Sequence, residues 1–114
     1  SNSRAMRGRA DSAAASITRL EHQTRYTQER IQADVRDAQS AIRASLSRIE
    51  AARNEVRIAK ELESAERLRF EQGDSHLLMV NIREQQTTEA ELREVDAIFD
   101  YYRATADLRA ARGD

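Results

Sequence analysis

Residues 68–81 of this chain read LRFEQGDSHLLMVN, and the arrangement of the whole chain follows from this stretch. A long polar run with an apolar residue at every third or fourth position precedes it, and the same pattern resumes after it. Gly73 is the only glycine away from the ends of the chain. Glycine commonly ends a helix because it reaches positive φ without a Cβ clash. Asp74 and Ser75 follow and can cap a new helix. The stretch therefore predicts two helices that fold back side by side about a tight turn.

The composition favours long charged helices over a compact globular core. Of the 114 residues, 39% are hydrophobic, 34% are charged and 4% are aromatic. The chain has no proline, which removes the strongest helix breaker, and it has no cysteine, which excludes disulfides and thiolate zinc sites. Its 19 basic and 20 acidic residues give a formal net charge of −1, without the basic excess expected of a nucleic-acid-binding protein.

The first predicted helix spans residues 12–71, with Asp11 or Ser12 as its cap. Residues 1–10 show no apolar period, so we expect them to be a disordered N-terminal end or a remnant of cloning. The apolar or small positions of this helix keep a spacing of three or four with a slow drift, which is typical of a long, gently supercoiled helix. They are Ile17, Leu20, Thr24, Thr27, Ile31, Val35, Ala38, Ile42, Leu46, Ile49, Ala52, Val56, Ala59, Leu62 and Ala65.

The second predicted helix follows a turn at residues 72–75 and spans residues 76–112, with Gly113 as its C-terminal cap. Its predicted core-facing stripe consists of Leu78, Ile82, Gln85, Thr88, Leu92, Val95, Ile98, Phe99, Tyr102, Ala106 and Leu108. Because the second helix is the shorter one, folding about Gly73 brings Arg112 close to Asp34. Upstream of that point the first helix has no partner within the chain, although it carries Ile17, Leu20 and Ile31. We therefore expect the chain to self-associate.

No residues suggest catalysis or metal binding. Neither His22 nor His76 has a glutamate three residues before it, so the Glu-x-x-His pairs of di-iron helical bundles are absent. The carboxylates alternate with arginines at helical spacing, as in Glu63 with Arg67, and this pattern indicates surface ion pairs. We expect no enzymatic activity, no metal and no cofactor. The chain also shows neither a signal peptide, nor a membrane-spanning run, nor an initiator methionine, so it is expected to be a piece of a longer protein.

The order and spacing of the residues around the turn resemble the C-terminal hairpin of TolC-type outer-membrane efflux proteins. The resemblance runs from about Ala52 to Gly113. It is carried by Phe70-x-x-Gly73-x-Ser75-x-Leu77-Leu78-x-Val80, then Arg83-Glu84-Gln85, Tyr101-Tyr102-Arg103-Ala104 and Leu108-x-x-Ala111-x-Gly113. It implies an all-α fold, a long antiparallel two-helix coiled-coil hairpin that forms part of a TolC-like α-barrel.

The resemblance also implies a function. The hairpin would be a periplasmic segment of a trimeric outer-membrane channel for efflux or type I secretion, and other parts of the parent protein would sit in the outer membrane. In that family the hairpin tip meets a periplasmic adaptor protein, which links the channel indirectly to an inner-membrane pump. Here the implied contact residues are Phe70, Gln72, Gly73, Ser75 and Leu77.

Two other interpretations stay open from the residues alone. The apolar residues of the tip could instead form a small hydrophobic plug that closes the hairpin. The whole chain could instead be a cytoplasmic coiled-coil scaffold or dimerisation module with no transport role. A signal peptide and amphipathic β-strands upstream of Ser1 would favour the channel.

Overall fold

The computed structural model describes residues 1–114 and contains two helices joined by one turn. Helix α1 runs from Asn2 to Glu71 and helix α2 from Leu77 to Arg112. They pack antiparallel along a rod with principal extents of 106 × 18 × 17 Å. The predicted all-α, two-helix coiled-coil hairpin is confirmed. Neither helix contains a stretch apolar enough to cross a membrane.

The start of α1 differs from the prediction. Residues 1–10 were expected to be disordered, but α1 is helical from Asn2 and Ser1 occupies its N-cap position without a side-chain hydrogen bond. Asp11 and Ser12 therefore lie inside the helix and cap nothing. The segment is rich in alanine and arginine, which are strong helix formers, and its single Gly8 costs only about 1 kcal/mol relative to alanine. An apolar period is not needed to continue a helix that is already nucleated.

The two helices meet along a continuous seam, defined by buried and half-buried residues that alternate spacings of three and four. On α1 the seam consists of Val35, Ala38, Ile42, Ser45, Ile49, Ala52, Val56, Ala59, Glu63 and Glu66. On α2 it consists of Val80, Arg83, Thr87, Ala90, Glu94, Ala97, Tyr101, Ala104, Leu108 and Ala111. This strict seven-residue repeat is the pattern of a left-handed coiled coil.

Small residues occupy every second position of the seam. Ala90, Ala97, Ala104 and Ala111 recur at intervals of seven on α2, and the facing positions of α1 are also alanine or serine from residue 38 to residue 59. Alanines from both helices line the same shallow recesses, as Ala52 and Ala97 do. Small side chains let the two backbones approach closely, and the rod therefore stays narrow.

Most of the predicted stripe of α2 faces away from α1, although its last residue, Leu108, does lie in the seam. Leu78, Ile82, Leu92, Val95, Phe99 and Tyr102 are all exposed. They lie on the side of α2 opposite the seam. Hydropathy favoured the large residues, but close helix packing selects the alanines. The same correction applies near the middle of α1, where Ser45 is buried and its neighbour Leu46 is half exposed. The Ser45 hydroxyl is satisfied locally because it donates to the carbonyl of Ile42.

Ion pairs on both flanks of the seam fix the register of the two helices. Their N···O distances are 3.6 Å for Arg48–Asp100, 3.2 Å for Arg53–Glu94, 3.1 Å for Arg93–Glu55 and 2.9 Å for Arg67–Glu84. Such solvent-exposed pairs each contribute at most about 1 kcal/mol. Their collective effect is on register, because sliding α2 along α1 would break all of them together.

The N-terminal part of α1 extends beyond the end of α2. Ala110 and Ala111 share a recess with Asp34 and Ala38, so α2 ends at that level, as expected. Residues 2–33, here called the extension, have no partner helix. Ile17, Leu20 and Ile31 are exposed there.

Candidate docking surface at the hairpin tip

The turn is built by the backbone around Gly73. Gly73 has φ of +82°, as predicted from its place in the sequence. The Asp74 amide donates to the Arg69 carbonyl at 2.8 Å, and the Gly73 amide donates to the Phe70 carbonyl at 3.1 Å. This pair of bonds is the Schellman motif, which satisfies the last carbonyls of a helix and requires a left-handed residue. The Gly113 and Asp114 amides make the same two bonds at the end of α2.

The start of α2 is not capped in the predicted way. Asp74 and Ser75 were expected to cap it, but the N-cap position is His76, in an extended conformation and with no side-chain cap bond. The His76 carbonyl accepts the amides of Met79 and Val80 at 3.0 and 3.2 Å. Ser75 is drawn away because its hydroxyl donates to Glu66 instead.

A polar cluster beneath the turn holds the tip closed. Glu66 is only 4% exposed, and its Oε2 accepts a 2.6 Å hydrogen bond from the Ser75 hydroxyl. Arg69 and Arg83 each place a guanidinium nitrogen 3.5 Å from the Glu66 carboxylate. Arg69 also donates to the Asp74 carbonyl at 3.0 Å. The cluster therefore joins the last turn of α1, the connecting turn and the first turns of α2.

The environment of Glu66 favours its charged form. The hydrogen bond from Ser75 holds the pKa of Glu66 below its ordinary value, and the charges of Arg69 and Arg83 act in the same direction against the opposing effect of desolvation. A carboxylate with a lowered pKa stabilises the folded state while it is ionised. The tip is therefore held by a charged group throughout the neutral range.

The structure places four of the five predicted contact residues on the surface and turns the fifth inward. Phe70 is 43% exposed and Leu77 is 58% exposed, while Gln72 and Gly73 are exposed between them. Ser75 is half-buried because it donates to Glu66. It therefore holds the turn from within. The alternative of a hydrophobic plug is not realised by this chain alone, because both large apolar residues remain open to solvent.

Sequence reasoning missed the residues that support the tip. Glu66 was not singled out, and Arg83 entered only as part of the Arg83-Glu84-Gln85 motif, with no role at the tip. Each continues a small-residue series of the seam, because Glu66 follows Ala59 by seven and Arg83 precedes Ala90 by seven. Charged residues at seam positions next to a predicted turn were the available signal. Leu78, also on the tip, is more exposed than Phe70 or Leu77, at 68%.

The surface at Gly73 is open. A Cβ added there would meet no atom of this chain within 4 Å. A side chain at residue 73 would therefore project outward, at the cost of backbone strain from the positive φ. The backbone of the turn is thus presented to any partner without cover.

No group of three or more His, Asp or Glu side chains could hold a metal ion. The recesses along the rod are shallow grooves floored by alanine and rimmed by charge, such as the one between Arg48 and Asp100.

Comparison with protein-family models, with curated proteins and with solved structures finds no match to this chain. The resemblance to the TolC type therefore rests on the residues of the hairpin itself.

Proposed function

We propose that this chain is a hairpin from the periplasmic α-barrel of a TolC-type outer-membrane channel. In this proposal the tip docks a periplasmic adaptor protein, and the channel is a trimeric conduit for efflux or type I secretion. The inner-membrane pump acts through the adaptor, and parts of the parent protein outside this chain sit in the outer membrane. The chain itself binds and supports, and it catalyses nothing.

The observation that carries the proposal is the exposed apolar tip on a rigidly closed turn. Phe70, Leu77 and Leu78 stay open to solvent although the turn that carries them is fixed by the ionic cluster around the buried Glu66. Leaving such side chains in water forfeits roughly 1.5–3 kcal/mol each relative to burial. Exposed apolar residues around an uncovered glycine are typical of a protein contact.

The two apolar sides of α2 are consistent with a barrel wall. One side packs on α1 through the seam, and the opposite side carries Leu92, Val95, Phe99 and Tyr102. A helix that is apolar on two opposite sides is suited to pack between two neighbouring helices. Each helix in the wall of an α-barrel has a neighbour on both sides and so needs two apolar sides. The extension of α1 likewise needs a neighbour that this chain does not supply.

Gly73→Asp in the full-length protein tests the docking role. It adds a side chain and a charge at the centre of the exposed turn, and the open space around residue 73 means that the hairpin itself has room for it. We expect export from cells to be abolished. Glu89→Gln, on the exposed shaft of α2, is the matched control and should leave export unchanged.

Two further measurements separate docking from folding. The amount of Gly73→Asp protein in the outer membrane must equal that of the wild type, so that loss of export reports the contact. A photo-crosslinking residue at Gln72 should capture the adaptor, and the same residue at Glu89 should not. If Gly73→Asp channels assemble at normal abundance and export normally, the tip is only a structural closure and the docking proposal is wrong.

A second candidate is a coiled-coil dimerisation module with no transport role. The exposed heptad-spaced residues on the far side of α2 favour it, because such a stripe suits pairing with another helix. The full-length gene distinguishes the two candidates: a signal peptide and amphipathic β-strands upstream of this segment are expected only for the channel.

A further inference from the structure

The side of α2 opposite the seam carries an apolar stripe that is interrupted by the polar residues Gln85 and Thr88 and that nothing in the chain covers. We call it the outer face, and it consists of Leu78, Ile82, Leu92, Val95, Phe99 and Tyr102. Leu92 and Phe99 are seven residues apart, as are Val95 and Tyr102, and this is the spacing of a coiled-coil seam. Exposures of 59% for Leu92, 63% for Phe99 and 64% for Tyr102 show that the stripe points into solvent.

We propose that the outer face binds the outer face of a second copy of this chain, with the two α2 helices antiparallel and the two tips pointing in opposite directions. The inference rests on the second candidate function, the dimerisation module, because hairpins in a barrel wall would all point their tips the same way and would use the outer face for a neighbouring helix of the wall. It specifies the occupant, the orientation and the register of the contact.

Charge selects the antiparallel orientation. The charged residues that flank the outer face are acidic in the first half of α2 and basic in the second half; they are Glu84, Glu89, Glu91 and Asp96, followed by Arg103, Arg109 and Arg112. A parallel pair would place like charges side by side along its whole length, which is destabilising. An antiparallel pair places the acidic half of each copy against the basic half of the other.

The positions of the charges also select a register. Within the hairpin, residues at the same heptad position of the two antiparallel helices face one another, as Ala52 and Ala97 do across the seam. We apply this pairing to two α2 helices and place the two-fold axis of the dimer beside Phe99. Val95 of one copy then lies opposite Tyr102 of the other. It also places Asp96 opposite Arg103 of the second copy, and each pair occurs twice by symmetry.

The same register matches charges at the ends of the contact. Glu84 of one copy lies opposite Arg112 of the other. Within the chain Arg112 makes no ion pair, whereas Glu84 pairs with Arg67 at 2.9 Å. Because a carboxylate accepts several hydrogen bonds, Glu84 can bind Arg112 of a second copy as well.

The contact is large enough for a specific dimer. Residues 84–112 would pair over roughly 43 Å at 1.5 Å per residue. Four large side chains that are about half to two-thirds exposed contribute roughly 500 Å² per copy. The flanking residues bring this towards the ~800 Å² per partner that stable interfaces bury.

Single cysteines test the orientation directly, since the chain has no cysteine of its own. In the proposed register residue 99 lies on the two-fold axis, so Phe99→Cys should form a disulfide-linked dimer under mild oxidation. Leu92→Cys should not crosslink to itself, because Leu92 faces Ala106 of the second copy. The pair Leu92→Cys with Ala106→Cys should crosslink again.

Charge variants test the same contact without oxidation. Phe99→Arg should raise the dimer Kd by about tenfold or more in sedimentation equilibrium. Asp96→Arg should also weaken the dimer by placing two arginines together, and adding Arg103→Asp should restore it. Ile17→Arg, at a similarly exposed apolar position on the extension, is the matched control and should leave the Kd unchanged. Circular dichroism must show that each variant keeps its helix content.

Several outcomes would overturn the proposal. Equal self-crosslinking at residues 92 and 99 would indicate a parallel pair. A dimer that survives Phe99→Arg but dissociates with Ile17→Arg would assign self-association to the extension of α1. The proposed contact would also be excluded if the chain were monomeric at about 100 µM. It would likewise be excluded if a cysteine at position 99 crosslinked to α1 of a second copy, as in a head-to-tail ring.

Discussion

The buried alanine at the centre of the seam gives the sharpest test of the fold. Ala90 is 0% exposed, and it belongs to the small-residue series that lets α2 approach α1. Ala90→Leu adds three carbon atoms at a fully buried position between the helices, so it must either force the backbones apart or take a strained rotamer. Overpacking of this kind costs typically 1–3 kcal/mol. For a small domain that corresponds to a fall in Tm of about 5–20 °C.

Ala44→Leu is the matched control, because Ala44 lies in the paired part of α1 but is exposed. Alanine and leucine have similar helix propensities, so the control should change the free energy of unfolding by less than about 0.5 kcal/mol. Urea and thermal unfolding should be followed at one fixed protein concentration, since self-association raises apparent stability. Circular dichroism should be combined with a probe of the distance between the two helices. Circular dichroism alone would miss opening of the hairpin if the extension stayed helical.

The seam assignment would be refuted if Ala90→Leu and Ala44→Leu unfolded at the same midpoint. A larger loss for Ala44→Leu would show that α1 meets α2 through a different face of α1. A negligible loss for Ala90→Leu would show that α2 packs through a different face of its own, such as the apolar one that hydropathy alone predicts.

Three further predictions follow from the same geometry. Spin labels at the exposed residues Lys60 and Thr88 should lie about 10–20 Å apart, as expected for helices packed 8–10 Å axis to axis, whereas one continuous helix would separate them by roughly 42 Å. Because the pKa of Glu66 is lowered in the folded state, the stability that its carboxylate contributes is present above the ordinary pKa of a glutamate and is lost as the pH falls through the lower folded-state value. Glu66→Gln should therefore remove this acid-range loss from urea midpoints measured as a function of pH. An unchanged pH profile would exclude the Glu66 carboxylate as the source of the loss. Ile17→Arg combined with Ile31→Arg should eliminate species larger than a dimer at high concentration in sedimentation velocity, and persistence of such species would show that the extension plays no part in association.

Local signals in the sequence were sufficient to predict the turn and the helix ends near it. Gly73 and Gly113 both adopt positive φ, because the Schellman motif depends only on a few neighbouring residues. The predicted end of the first helix at residue 71 agrees with the structure, and the second begins one residue later than predicted. These features need no knowledge of the partner helix.

The face of α2 that packs on α1 could not be read from hydropathy. Leu92 and Phe99 are the strongest apolar signal on this helix, yet they point outward, while Ala90 and Ala97 are buried. An alanine seam is selected by how closely two backbones can approach, which is a property of the pair of helices. The inward orientation of Ser75 was missed for a related reason, since its partner Glu66 lies nine residues earlier, on α1.

The unequal lengths of the two helices have a mechanical consequence. From about residue 36 to the tip the rod is two helices thick, and below that level a single helix continues alone. A single helix resists bending less than two packed helices do. Bending should therefore concentrate at the step in thickness where α2 ends. The doubled part is roughly 54 Å long at 1.5 Å per residue, and a 10° bend at the step would sweep the tip sideways by about 9 Å. The chain would thus behave as a stiff arm on a compliant stem, and its tip could search for a partner while the seam stays intact.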